Sequence, residues 1–202
     1  MNSKTENLDQ TFSRLHEIFT SDKFLKMEGL GNEVPFFISP FHPSLQVDVD
    51  GRIPHLIVKL KTSGVKVLEI NLFTLALDLL KERKRYDRLL KNEASMPKER
   101  FLSTLNTLVN EEKQLKPAIG KRVQEAEFDI LFLTGVGLVF PFIRTHNILN
   151  NIQREIKHQP TVIFFPGEYT FSPEAGSALE LFGKMKDNKY YRAFNLKEYQ
   201  LV

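Results

Sequence analysis

Apolar residues at Leu8, Phe12, Leu15, Ile18 and Phe19 recur at three- and four-residue spacing, which predicts an amphipathic helix of about three turns. Val34 to Ile38 reads as a short strand, and Pro40 and Pro43 then turn the chain into a loop. From Leu56 the pattern changes to alternation. Leu56, Val58 and Leu60 interleave with Ile57, Lys59 and Lys61, the period of a strand with one drier face. Thr62-Ser63-Gly64 marks a turn, and Val65 to Asn71 is a second strand of similar character. A hairpin is the simplest connection between these two strands; a parallel pair would need a crossover.

The middle of the chain is helical in pattern: a long helix over Leu72 to Lys91, a second over Pro97 to Glu112, and a short third over Pro117 to Glu125. Pro97 suits a first helical position, and Glu99 suits the positive end of the helix dipole. The last third changes character. Phe128 to Leu133 (FDILFL) is nearly continuous in apolar residues, as expected of a strand buried on both faces. Gly135-Val136-Gly137 breaks it, and a helix through about Ile156 follows, with Ile148, Leu149, Ile152 and Ile156 inward. Thr161 to Phe165 (TVIFF) is a second buried strand, stopped by Pro166-Gly167. Strand, helix and strand make a βαβ unit whose two strands are expected to be adjacent, parallel and central, with a right-handed crossover. Ser177 to Met185 reads as helix and Tyr190 to Phe194 as a last strand. The expected fold is α/β: a single domain over residues 1–202, with a mainly parallel central sheet flanked by helices and a basic helical insertion at 72–126.

Composition narrows the setting. At 202 residues and 42% hydrophobic, the chain is expected to bury roughly 70% of its unfolded surface. It has no cysteine, which excludes disulfides, thiolate zinc sites and a cysteine nucleophile, and fits a reducing compartment. Met1 to Gln10 is polar and lacks the apolar core of a secretory signal. The longest uncharged run, between Asp129 and Arg144, is 14 residues, short of the ~20 a membrane span needs. A soluble, cytoplasmic protein with no membrane attachment is expected.

The net charge of +3 is too small to declare a nucleic-acid binder, but its distribution is uneven. Residues 1–80 carry −2, residues 81–126 carry +5 and residues 127–202 balance. On a single helix turning about 100° per residue, with Leu79 at zero, Tyr86 and Leu90 fall within about 20° and define a buried stripe. Lys81, Lys84, Arg85, Arg88 and Lys91 then line the opposite face. Like charges such as Lys81/Arg85 and Lys84/Arg88 at i,i+4 each disfavour a helix by about 0.2–0.5 kcal/mol. That face is either simply solvated or meets an anionic partner. Tyr86 is its lone aromatic, which argues against a base-stacking platform.

Catalytic chemistry finds less support. Gly135-Val136-Gly137 lies where phosphate cradles occur, but Phe140 stands where the third glycine of a dinucleotide fingerprint belongs, and Gly120-Lys121 lacks the rest of a Walker A loop. Tight structural turn and ligand cradle both fit. None of His16, His42, His55, His146 and His158 pairs with another at metal-ligand spacing, and no G-x-S-x-G elbow exists. No metal, cofactor or catalytic residue is therefore assigned. Ligands of parallel sheets bind outside the carboxyl ends of the strands. Here those ends carry Thr134, Gly135, Pro166, Gly167, Glu168 and Tyr169. Arg144 and Glu168 can approach that edge as a site or as a salt bridge. His146 either serves as a general acid or base or, as is commoner for such a histidine, bonds a neighbouring backbone or lies on an interface.

The stretch Leu131-Phe132-Leu133-Thr134-Gly135-Val136-Gly137 is distinctive. So are Phe140 to Asn151 (FPFIRTHNILNN), Phe164 to Tyr169 (FFPGEY), Leu181-Phe182-Gly183 and Asn188 to Phe194 (NKYYRAF). Together they resemble the BrxB family of BREX phage-defence systems. The likeness spans the chain length, and its specificity lies in residues 129–194. The resemblance implies a cytoplasmic protein needed for phage restriction and host DNA methylation, with no recognised catalytic activity and no cofactor. It implies partners among the BREX proteins: the alkaline-phosphatase-like PglZ first, then the PglX methyltransferase and the BrxC ATPase. It leaves open a homodimer and a contact with DNA, made through the complex or directly. Gly135, Gly137, Arg144, His146, Asn150, Glu168, Tyr190, Tyr191 and Arg192 are taken together as a possible strand-end surface. An assembly subunit, a DNA-binding accessory module and a phosphate-ligand-binding enzyme are the three readings to separate.

Overall fold

The computed structural model describes residues 7–28, 35–143, 156, 158–172, 176–182, 185–187 and 193–201. The described elements are α1 (Leu8–Thr20), α2 (Asp22–Leu25), β1 (Phe36–Phe41), α3 (Gln46–Thr62), β2 (Val67–Asn71), α4 (Leu72–Glu82), α5 (Tyr86–Glu93), α6 (Lys98–Leu108), α7 (Lys116–Glu125), β3 (Ile130–Thr134), β4 (Thr161–Ser172), β5 (Gly176–Leu181), β6 (Met185–Asp187) and β7 (Phe194–Asn195).

The sheet order is β2-β3-β4-β1-β7, with β5 added to β4 and β6 to β5. Strands β2/β3, β3/β4, β4/β1 and β1/β7 are parallel, while β4/β5 and β5/β6 are antiparallel. β3 and β4 sit side by side in the middle, as their uninterrupted apolar character requires. Alternate side chains of one strand enter opposite layers. Leu131, Leu133, Ile163 and Phe165 join the core under α4, α5 and α7. Ile130, Phe132, Val162 and Phe164 join the core under α1, α2 and α3. The sheet is therefore a middle layer with helices on both faces.

Several expectations are corrected here. Residues 56–61 are not a strand but the last third of α3. The buried residues of that helix are Val49, Ile53, Leu56 and Leu60, a helical period that starts upstream of the local alternation and overrides it. No 56–71 hairpin exists, and β2 instead pairs in parallel with β3. Residues 177–185 are not a helix either. β4 continues past Pro166-Gly167 and folds back on β5, with Leu179 and Leu181 buried and Glu180 between them. Pro40 lies inside β1 rather than in a loop, paired with Phe165. The expected 138–156 helix falls outside the described residues beyond Ile143, apart from buried Ile156; Tyr190 to Arg192 are outside them as well.

The basic segment is also not one helix. α4 ends at Glu82 and α5 begins at Tyr86. Lys84 adopts φ 55 between them, its N–H donating to the Lys81 carbonyl at 2.8 Å while Arg85 N–H donates to the Leu80 carbonyl at 2.9 Å. That pair of bonds is a Schellman ending, which normally uses glycine at the left-handed position. The same ending closes α3 with Gly64 at φ 86, so the two helices stop by one device with different residues. Breaking the helix re-aims α5. Leu89 becomes buried at 7% exposure, whereas Leu90, expected on the buried stripe, is 50% exposed.

Candidate functional site

The edge where an open parallel sheet would hold a ligand is formed by the carboxyl ends of β2 and β3 and by the middle of β4, where it leaves the parallel sheet at Pro166; residues 166–169, expected at a strand end, lie inside β4. Three of its polar side chains, Thr134, Glu69 and Asn71, bond within the fold. Thr134, 1% exposed, donates its hydroxyl to Glu69 Oε1 at 2.7 Å. Asn71 Oδ1 accepts from the N–H groups of Phe73 and Thr74, both at 3.1 Å, and so caps α4. Gly135 has φ 68, and a β-carbon there would lie 2.6 Å from the same oxygen. A β-carbon at Gly137 would lie 2.7 Å from Pro166 Cγ and 3.2 Å from Phe182 Cε1. Both glycines are thus required by close packing of this chain against itself. Gln46 Oε1 would also lie 3.5 Å from a β-carbon at Gly137.

Glu168 is half-buried on β4 and stands opposite Glu180 of β5, with Lys186 of β6 next in the same cross-strand row. Like charges placed directly opposite disfavour a pair by a fraction of a kcal/mol. Glu180 was not among the expected site residues. The alternation of Leu179, Glu180 and Leu181 carried the signal that would have found it. Arg144, His146, Asn150, Tyr190, Tyr191 and Arg192 lie outside the described residues, so their expected approach to this edge is not described. Among the described residues no group of three or more histidine or acidic side chains gathers as a metal site would require.

The five expected contact cations group differently from the expected stripe. Lys81 lies in the last turn of α4 and stands over the Tyr86 ring, 5.4 Å from its centroid. Lys84 and Arg85 occupy the bend, while Arg88 and Lys91 belong to α5. All five are exposed, together with Arg83. Among the described residues none of the six forms an ion pair within 4 Å. The pattern is a cationic corner centred on a bend.

Elsewhere, Arg14 donates to the Tyr199 carbonyl at 2.8 Å and Lys23 to the Gln200 carbonyl at 3.0 Å, holding residues 199–201 along α1. The open groove there, about 640 Å³, is lined by Gln10, Ser13, Arg14 and Glu17 against that segment. No described helix is long and apolar enough to cross a membrane.

The architecture defines a three-layer α/β protein whose described strand-end edge is packed by its own side chains. Sequence comparison supplies the family. The family model for the BREX protein BrxB matches residues 68–196. A BREX protein BrxB of Bacillus cereus (strain H3081.97) is 35% identical over 195 residues, covering 95% of this chain and 96% of its own. Another, from Escherichia coli O9:H4 (strain HS), is 29% identical over 189 residues, covering 94% and 91%. No solved structure gives a significant match. The chain belongs to the BrxB family of the BREX phage-defence system.

Proposed function

We propose that this BrxB family member is a non-catalytic assembly subunit of a cytoplasmic BREX complex, joining PglZ-, PglX- or BrxC-type components in support of restriction and host DNA methylation. The observation that carries this reading is the contrast between the two candidate surfaces. At the strand-end edge Thr134, Glu69 and Asn71 spend their hydrogen bonds on the fold itself, which leaves little chemistry for a substrate. At the α4–α5 corner six exposed cations have no ion-pair partner among the described residues. A surface of that kind suits an acidic face of another BREX protein, where charge complementarity speeds and orients association.

The test is co-purification with each BREX component separately, using wild type and the triple variant Lys84→Glu, Arg85→Glu, Arg88→Glu. All three residues are exposed, so the variant is expected to fold as wild type in a thermal melt. It should lose the partner, most clearly at low ionic strength, where exposed charges are least screened. Retention of every partner by the folded variant would remove the corner from the reading. A second reading, duplex DNA on the same corner, is favoured by the density of cations alone. It predicts binding by the isolated protein that falls steeply with added salt. Turnover of nucleotides or phosphoesters by purified protein, abolished by His146→Ala, would instead establish an enzyme.

A further inference from the structure

Helix α3 buries Val49, Ile53, Leu56 and Leu60, none more than 2% exposed. Its opposite face is apolar as well. Val47 is 83% exposed and Val58 65%, Gly51 and Pro54 are exposed, and a β-carbon at Gly51 would meet nothing within 4 Å. With Val47 at zero and about 100° per residue, Val58, Gly51 and Pro54 fall at about 20°, 40° and 340°, directly opposite the buried side. A solvated helix places charged residues at that centre.

The charges stand at the flanks in a particular order. Asp48 and Lys59 lie at about 100° and 120° on one side, Asp50 and Lys61 at about 300° and 320° on the other. Each flank is acidic toward the N-terminus and basic toward the C-terminus. Asp48, Lys59 and Lys61 are exposed and form no ion pair within 4 Å among the described residues. Arg52, by contrast, is held by Asp9 of α1. The helix dipole favours such a charge order too, but it asks nothing of the outer centre, where the valines stand.

We infer that this face pairs with the same face of a second copy, the two α3 helices running antiparallel about a two-fold axis. A two-fold contact is self-complementary. Rotation sets each flank against its own reverse, so Asp48 meets Lys59 of the second copy. Val47 then lies beside Val58 of the copy, and Gly51 beside Pro54, where the absent side chain lets the backbones approach. The helix has 17 residues, about 25 Å of length. A contact of that size is at the small end for protein interfaces, and self-association in the micromolar range is expected.

Sedimentation velocity on the full chain from about 1 to about 100 µM tests this. A concentration-dependent dimer is expected for wild type. Val47→Glu with Val58→Glu should leave the melt unchanged and the protein monomeric. Asp48→Lys alone and Lys59→Asp alone should each weaken the dimer about tenfold, an effect of about 1.4 kcal/mol. The two in one chain should restore it, because the opposed charges are merely exchanged. A wild type that stays monomeric across the range overturns the inference. So does a dimer indifferent to Val47 and Val58, or a charge exchange that fails to restore association. Loss of a BREX component rather than of self-association in the valine variant overturns it in favour of a different partner.

Discussion

Gly135 and Asn71 are locked to one another: the glycine has φ 68, and any β-carbon on it would stand 2.6 Å from the Asn71 oxygen that caps α4. One turn after β3 and one cap after β2 therefore share a single small space at the sheet edge. Gly135→Ala meets both a left-handed backbone and a side-chain collision. It is expected to lower stability by about 1–3 kcal/mol, read as a shift of the denaturant midpoint with unchanged slope. If Gly135→Ala is tolerated with less than half that loss, the close packing is not what requires the glycine.

Lys84 makes the opposite case. A lysine occupies the left-handed position of a Schellman ending that Gly64 fills at the end of α3. L-residues are disfavoured there by about 1–2 kcal/mol, part of which is offset by the greater freedom of glycine in the unfolded chain. Lys84→Gly should raise the melting temperature by about 2 °C for a chain of this size. If the same variant loses partner binding while gaining stability, the cation is kept at Lys84 for contact and not for folding. A fall in melting temperature would show that the lysine is held there by interactions of its own.

The sequence pattern revealed the middle of the fold more readily than its rim. β3 and β4 are apolar on both faces because helices cover both, and a run such as Ile130 to Leu133 has few other readings. The strand-end glycines were visible for the same reason, since they interrupt such a run. Residues 56–61 mislead because Lys59 and Lys61 alternate with apolar neighbours by coincidence; the deciding residues, Val49 and Ile53, lie upstream of Pro54. Reading that segment as a strand also hid the outer face of α3. The α4–α5 bend was not legible, because Lys84 in a left-handed conformation has no sequence signature. The helix turns there to bury Leu89, a tertiary demand that a local propensity does not contain.

Thr161 opens β4 fully buried, and its hydroxyl has no hydrogen-bond partner among the described residues. The backbone N–H of the same residue is satisfied by the Pro35 carbonyl at 2.8 Å. A buried unpaired hydroxyl carries a desolvation cost of about 1–3 kcal/mol, and valine has nearly the same shape. Thr161→Val is therefore expected to be neutral or stabilising by up to about 1 kcal/mol, measured by chemical denaturation. A clear loss of stability would show that the hydroxyl has a partner that matters.

Lys66 and Glu127 tie the starts of β2 and β3 together with an ion pair of 2.9 Å, beside the Lys66 N–H that donates to Asp129 Oδ2 at 2.7 Å. The hydrogen bond from Lys66, followed by its charge, holds the Glu127 carboxyl below the usual glutamate range. The same bond, followed by the charge of Glu127, holds the Lys66 ammonium above the usual lysine range. The signs at the two ends of the pH scale follow. A depressed carboxyl contributes stability above its unfolded pKa, and that contribution is lost as pH falls through the folded value. A raised ammonium contributes below its unfolded pKa, and that contribution is lost as pH rises through the folded value. Both side chains are exposed, so the pair stabilises weakly and in a salt-dependent way. Titration of the Glu127 carboxyl by NMR should give a midpoint below that of an ordinary glutamate. Lys66→Met should return it to the ordinary range, and added salt should move it in the same direction. An unshifted Glu127 in wild type at low salt would mean that the two side chains do not meet in solution, leaving the backbone bond to Asp129 as the tie between the strand starts.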